Sequence, residues 1–301
     1  MKKILLATTA LALSAGVANA QAVTITGEGR MGVQYISNGS YFGSNWRQEN
    51  RLQFNFNVAV EGDHGLTFGA YSRARISNQA MGMFAGSRVW VEANGLRLTF
   101  GNVDGALRGA GTSHGYAGGC GVGYEGGQQC GDSAGLLSVS QAHNSTGVAT
   151  SVTTGAASTG RARIDYTMGD TRVAVSHDRN GSTELGVRTS FDAFTVALGY
   201  TNNGGAASAF QSVAAISGHY NGGSWGVGAL VARGNSVTNF SLSASAQLGG
   251  GDLYGYVGRV GGSNAYGLNY GYGLGGGANI VVGAERVGAL TTASVGVVFG
   301  F

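Results

Sequence analysis

The sequence predicts an all-β protein, a 16-stranded antiparallel transmembrane β-barrel with a long third loop folded into the lumen. Three observations carry this. Short runs alternate apolar and polar residues and close on turn residues along most of the chain, the period of strands whose two faces meet different surroundings. The polar members are mainly Ser, Thr, Asn, Gln and Arg, with charged residues at only 11%, unlike the densely charged outer face of a soluble sheet. Between residues 104 and 158 the alternation stops, and structureless stretches of that length usually carry function.

The composition fits a barrel. Glycine supplies 57 of 301 residues and proline is absent, yet 13 Tyr and 12 Phe recur in register with many Val, which a disordered glycine-rich chain would lack. A closed barrel tolerates glycine because both neighbouring strands satisfy its backbone, the condition for sitting in lipid. Beyond the N-terminal segment, no stretch has the roughly 18 consecutive apolar residues of a transmembrane helix.

Met1-Lys2-Lys3, an apolar run over 4–17 and Ala18-Asn19-Ala20 read as an export signal over residues 1–20, with its charged, apolar and small-residue regions in order. The mature domain is then 21–301. Without Lys2 and Lys3 the 18 basic residues fall to 16, all of them Arg, against 15 acids. Near-neutral charge excludes a general nucleic-acid binder. Arg keeps its charge at any working pH on a rigid fork of donors, which suits a fixed electric field.

The elements follow in order. Val23, Ile25, Met31, Val33 and Tyr35 alternate with Thr24, Thr26, Glu28, Arg30 and Gln34. Leu52, Phe54, Phe56, Val58 and Val60 oppose Arg51, Gln53, Asn55 and Asn57, and Asp63-His64-Gly65 turns into Leu66, Phe68, Ala70 and Ile76 opposite Thr67, Tyr71, Arg73 and Arg75. Asn94-Gly95 is a two-residue hairpin signal between a strand with Val89 and Val91 and one with Leu96, Leu98 and Phe100. After the long loop, strands are expected over 161–167, 171–178, 183–191, 194–201, 211–220, 224–232, 239–248, 252–260, 264–272, 278–285 and 290–301. Short turns alternate with longer connections such as 202–210 and 233–238, the asymmetry of outer-membrane barrels. Tyr200, Tyr220, Trp225, Tyr254, Tyr256, Tyr266, Tyr270, Tyr272, Phe299 and Phe301 lie near strand ends, where interfacial aromatic girdles sit.

Cys120 and Cys130 lie close together in the long loop of an exported chain. An oxidising compartment makes a local disulfide the default over two free thiols, and such a bond would stiffen the loop. Residues 111–115 and 222–226 both match G-x-S-x-G, but neither is followed by the helical pattern of a nucleophile elbow. Chance matches are common in a glycine-rich chain, and Ser113 with His114 or His143 remains a minor hydrolase alternative. The absence of mature Lys excludes a P-loop.

The chain resembles the trimeric general diffusion porins of Gram-negative outer membranes, most closely the kind found in purple photosynthetic bacteria. The resemblance rests on Gly29-Arg30-Met31-Gly32-Val33, Gly65-Leu66-Thr67-Phe68-Gly69-Ala70, Gly101-Asn102-Val103-Asp104-Gly105-Ala106 and the terminal Phe301. It implies a homotrimer of 16-stranded barrels in the outer membrane, in contact with lipid and lipopolysaccharide. In each barrel the third loop forms an eyelet with acids facing basic residues on the wall. By position, Arg30, Arg51, Arg73, Arg75 and Arg88 are the implied wall residues and Asp104, Glu125 and Asp132 the loop acids. Phe299 and Phe301 resemble the terminal aromatic signal read by the assembly machinery. Relatives bind calcium through acid-rich loops; with so few loop acids, no cofactor is expected here. The expected function is passive diffusion of ions and small hydrophilic solutes through a water-filled pore. The alternatives are a solute-selective channel, a barrel hydrolase and an adhesive barrel.

Overall fold

A computed structural model describes residues 22–38, 44–77, 80–84, 86–109, 122–123, 132, 160–178, 181–202, 212–234 and 237–301. The predicted export signal, Ser113, His114, His143, Cys120, Glu125 and Cys130 lie outside them.

Runs of period 2 become strands throughout. Before the long loop these are β1 (Ala22–Ile36), β2 (Trp46–Glu61), β3 (Thr67–Ser77), β4 (Ala80–Phe84), β5 (Arg88–Ala93) and β6 (Leu96–Gly101). A single helical turn, α1 (Ala106–Gly109), begins the loop. After it come β7 (Arg161–Met168), β8 (Thr171–Asp178), β9 (Thr183–Phe191), β10 (Phe194–Asn202), β11 (Ser212–Asn221) and β12 (Trp225–Gly234). The chain ends with β13 (Val237–Leu248), β14 (Gly251–Val260), β15 (Ser263–Gly275), β16 (Ala278–Val287) and β17 (Leu290–Gly300).

Apart from β4, every strand pairs antiparallel with its neighbours around the barrel, and β1 pairs with β17 from Glu28–Gly300 to Ile36–Thr292, which closes the barrel. The short segment β4 shares a position with β5: both pair with β3, at Ala74–Ser77 and Thr67–Tyr71 respectively. The described segments therefore form a closed barrel of 16 staves. Closure removes the free edges that would leave backbone groups unsatisfied in lipid.

Tight turns such as Asn94-Gly95, Asp192-Ala193 and Gly249-Gly250 cluster at the end of the barrel that holds both the start of β1 and Phe301. The connection over 102–160 leaves from the other end. That end also holds the connection over 233–238, which is shorter than the sequence suggested, because β12 continues to Gly234 and β13 already starts at Val237.

Outward positions form an apolar band. Val23, Met31, Leu242, Val257 and Leu268 each keep more than half of their surface exposed, far more contiguous apolar surface than a water-soluble protein presents. Phe191, Phe194, Tyr220 and Trp225 form a continuous aromatic stack at the tight-turn end, with ring centroids 4.8 to 5.7 Å apart, as expected at a membrane interface. Two girdle assignments are corrected. Tyr254 and Tyr256 point inward and are buried, while Val257 in the opposite register faces out.

The inner face also departs from a uniformly polar lining. Val213, Ala215, Leu230 and Ala232 face inward and form a buried apolar cluster with Leu107 of α1. The loop packs on this part of the wall, so water does not reach it.

Candidate pore constriction

The inward register of β1, β2, β3 and β5 brings the predicted wall arginines together. Arg30 stands directly opposite Arg51, Arg75 opposite Gln53, Arg73 opposite Asn55 and Arg88 opposite Tyr71. Directly opposed side chains in a sheet have Cβ atoms roughly 5 Å apart, and like charges there repel. Glu28 relieves part of that repulsion. Its Oε1 accepts from Arg30 Nε at 2.6 Å and Arg51 Nη2 at 3.1 Å, and its Oε2 accepts from Arg30 Nη2 at 3.1 Å.

Arg75 and Arg88 have neutral partners. Arg75 donates through Nε and Nη2 to Gln53 Oε1 at 2.9 and 2.7 Å. Arg88 lies over the Tyr71 ring, 4.1 Å from its centroid, a cation–π contact, and the Tyr71 hydroxyl donates to Asn55 Oδ1 at 3.0 Å. Among the described residues no ion pair joins Arg73, Arg75 or Arg88 to a carboxylate. This is a positively charged strip in which Glu28 holds Arg30 and Arg51, and Gln53 and Tyr71 hold Arg75 and Arg88.

The loop is fastened to the opposite wall, and its described residues touch that wall at three places. At its root, the amides of Ala106 and Leu107 donate to Ser176 Oγ (2.9 Å) and Glu184 Oε2 (3.0 Å). Arg161 donates through Nη1 to the Val103 carbonyl and through Nη2 to Asp178 Oδ2, both at 3.0 Å, and Glu184 Oε1 lies 3.7 Å away. Arg161, Asp178 and Glu184 are each about 1% exposed, and charges buried so deeply need these partners. A Cβ on Gly105 would overlap the Glu184 carboxylate, so glycine allows the backbone to approach. Beside it, Arg163 Nη1 donates to the Asp104 carbonyl at 2.8 Å.

The second fastening is Val122-Gly123. Val122 packs with Tyr254, Tyr256 and Ala265, while the Gly123 amide donates to Asn269 Oδ1 at 2.8 Å. A Cβ on wall Gly283 would overlap the Gly123 backbone. Third, Asp132 is fully buried, its Oδ2 accepting from the Tyr254 hydroxyl at 3.0 Å and its carbonyl from Ser241 Oγ at 2.5 Å. Tyr256 donates to Glu285 Oε1 at 2.6 Å beneath this docking surface.

The structure thus gathers Arg30, Arg51, Arg73, Arg75 and Arg88 on one wall and places Asp104 at the loop root, half-buried near Arg163. Asp132 is on the far wall, bonded to Tyr254 rather than presented to the arginines. Phe299 and Phe301 face outward side by side, 6.4 Å between centroids, with Phe54 against Phe301 at 5.7 Å. Of the two G-x-S-x-G matches, Ser224 sits in the hairpin between β11 and β12, not in a strand-to-helix elbow.

The sequence reading missed Arg161, Arg163, Asp178 and Glu184 as loop-holding residues. Their signal was the same inward register, applied to the strands after the loop instead of before it.

A closed, antiparallel, 16-stranded barrel with an apolar outer band, a charged inner wall and a loop packed on the inner wall is the architecture of an outer-membrane channel. Residues 7–289 match the family model described as Gram-negative porin, and the chain belongs to that family. Among solved structures, it is similar to two engineered variants of Rh. blastica porin at 20% identity, with TM-scores of 0.76 and 0.75. A triply substituted Rhodopseudomonas blastica porin, also 20% identical, gives 0.74. In each case the likeness covers 93% of this chain and 100% of the other. No curated protein matches by sequence.

Proposed function

We propose that this outer-membrane porin is a non-catalytic, non-saturating channel that favours small anions and works as a homotrimer. The observation that carries the anion preference is the composition of the inner strip: five arginines gather on one wall, and among the described residues no carboxylate pairs with Arg73, Arg75 or Arg88. Rings of Arg or Lys select for anions in pores, and a narrow passage between low-dielectric walls concentrates their field. Loop fastening supports a fixed aperture, since Leu107, Val122 and Asp132 hold their segments against the wall. The trimer follows from the family resemblance, as do contacts with lipopolysaccharide and recognition of Phe299 and Phe301 by the assembly machinery.

The test is single-channel conductance in planar bilayers with the reversal potential read in a salt gradient. The wild type is expected to open in steps that arrive in threes and to reverse on the anion-selective side. Arg73→Ala with Arg75→Ala should move the reversal potential toward cations while the folded barrel persists. An unchanged potential would remove these two residues from the selectivity strip, and absence of conductance from a folded barrel would overturn the channel.

A further inference from the structure

Three uncharged side chains on the arginine wall are joined into one chain across β2 and β3. Asn55 Oδ1 accepts from Gln53 Nε2 and from the Tyr71 hydroxyl, both at 3.0 Å. Each end of that chain carries an arginine. Gln53 Oε1 accepts from both Nε and Nη2 of Arg75, and the Tyr71 ring lies against the guanidinium of Arg88. Arg73 stands directly opposite Asn55, at the middle of the chain.

The rows across the strands show what this chain prevents. They run Glu28–Gln53–Arg75, Thr26–Asn55–Arg73 and Asn57–Tyr71–Arg88, so Gln53 stands between Glu28 and Arg75. Two strand spacings separate those opposite charges by about 10 Å, a span that a long arginine and a glutamate side chain can close. Glu28 is near enough to attract Arg75, and Asp104 at the loop root is near enough to attract Arg88. Yet among the described residues no ion pair joins either arginine to a carboxylate.

Elsewhere on the same wall the outcome is different. Arg30 and Arg51 bond Glu28, and Arg97 bonds Glu92 through Nε at 2.5 Å although it is also stacked 4.3 Å from the centroid of Trp90. Partly exposed ion pairs and neutral hydrogen bonds are of comparable strength, so local geometry decides which one forms. At Arg75 and Arg88 the uncharged chain decides it. The consequence is electrical: a guanidinium paired with a carboxylate has its field largely cancelled in the lumen, whereas one held by an amide or a ring keeps its whole charge.

We propose that Gln53, Asn55 and Tyr71 are positioning residues for anion selectivity, a role that rests on the anion preference proposed above. They hold Arg75 and Arg88 away from Glu28 and Asp104, so that both charges act on the lumen uncancelled. Replacing any of them changes selectivity without changing a single charge in the protein.

The test measures the anion-to-cation permeability ratio of the full-length protein in planar bilayers, from the reversal potential in a potassium chloride gradient, with circular dichroism confirming the barrel in each variant. Gln53→Ala releases Arg75 toward Glu28, and the ratio should fall on the order of twofold, the size of one such hydrogen bond or exposed pair. Asn55→Ala should lower it at least as far, because both ends of the chain are untied. Tyr71→Leu removes the ring under Arg88 and should also lower the ratio, whereas Tyr71→Phe keeps the ring and should recover most of the wild-type value. The decisive comparison places Gln53→Ala in the Glu28→Gln background. There the released Arg75 meets no carboxylate at position 28, and the ratio should stay at that of Glu28→Gln alone; a side chain that merely supports the wall would shift both backgrounds equally. Unchanged ratios in Gln53→Ala and Asn55→Ala, or equal shifts with and without the Glu28 charge, would overturn the proposal. A wild type lacking anion preference would overturn the selectivity reading by itself, since the shift between these equally charged channels is read against the wild type whatever its starting ratio.

Discussion

The two halves of the inner wall use one structural rule for opposite purposes. On β1–β3 and β5, the inward register carries Arg30, Arg51, Arg73, Arg75 and Arg88, each only partly buried, and Arg30 can stand opposite Arg51 because Glu28 and solvent share the load. On β7–β16, the inward register meets the loop instead. There the lining includes Val213, Ala215, Leu230 and Tyr254 beneath apolar loop residues, and the charges at the loop root, Arg161, Asp178 and Glu184, are buried and paired. Register determines which face a residue takes, but what covers that face determines its energetics. A solvated charge tolerates like neighbours at little cost, whereas a buried one left alone costs several kcal/mol.

The contrast is broken most strongly at Arg161. Arg161→Ala leaves Asp178 and Glu184 buried without their cation and removes the donor to the Val103 carbonyl. Breaking a buried pair from one side costs about 3–5 kcal/mol, and a loss of that size is expected in denaturant unfolding of the detergent-solubilised barrel. With the loop root released, single channels should also become noisier and larger. Adding Asp178→Asn and Glu184→Gln should recover much of the stability, because neutral amides remain where two carboxylates were unpaired. Failure of the triple variant to regain stability would show that hydrogen-bond geometry, rather than charge burial, dominates the cluster.

Leu107→Ala is expected to rank second. Leu107 is fully buried among Val213, Ala215, Leu230 and Ala232, and removing its isobutyl group forfeits contacts that are typically worth about 2–5 kcal/mol. Part of that loss should be confined to the loop, because the wall is held independently by its strand pairing. Protease susceptibility of the loop should therefore rise at denaturant concentrations where the barrel is still intact. Simultaneous loss of loop and barrel would mean that the two walls unfold as one unit.

The sequence made the barrel legible for a physical reason. Lipid on one side and polar surroundings on the other impose a strict period of 2, so the strand runs from Val23 to Phe301 could be read one at a time. The arginine strip was legible by the same parity. Tyr254 and Tyr256 carried the parity signal too, since Leu253 and Val257 occupy the opposite register, but nearness to strand ends was weighted above it. The short strand β4, sharing its stave with β5, has no clean alternation of its own. Asp132 left no local trace: its partner Tyr254 is 122 residues away, and a loop acid facing water is identical in sequence to one buried against a tyrosine. The glycines at 105 and 283 likewise looked compositional until the backbone of another segment was found against them.

The smallest stability effect and the sharpest functional one should come from Glu28→Gln. Glu28 is bonded into the strip through Arg30 and Arg51, and its side chain keeps 28% of its surface exposed, so solvent screens much of its interaction with them. The amide oxygen still accepts one hydrogen bond, and a cost below about 1 kcal/mol is expected for such a screened pair. The electrical consequence has a definite sign. Removing a negative charge from a wall with five arginines makes the strip more positive, so the reversal potential should move further toward anions, opposite to the shift expected from Arg73→Ala with Arg75→Ala. The effect should shrink as ionic strength rises, because the screening length falls from about 10 Å at 0.1 M salt to about 3 Å at 1 M. A shift toward cations would mean that Glu28 acts by positioning Arg30 and Arg51 rather than by its charge. A stability loss comparable to that of Arg161→Ala would mean that the two walls are not physically distinct.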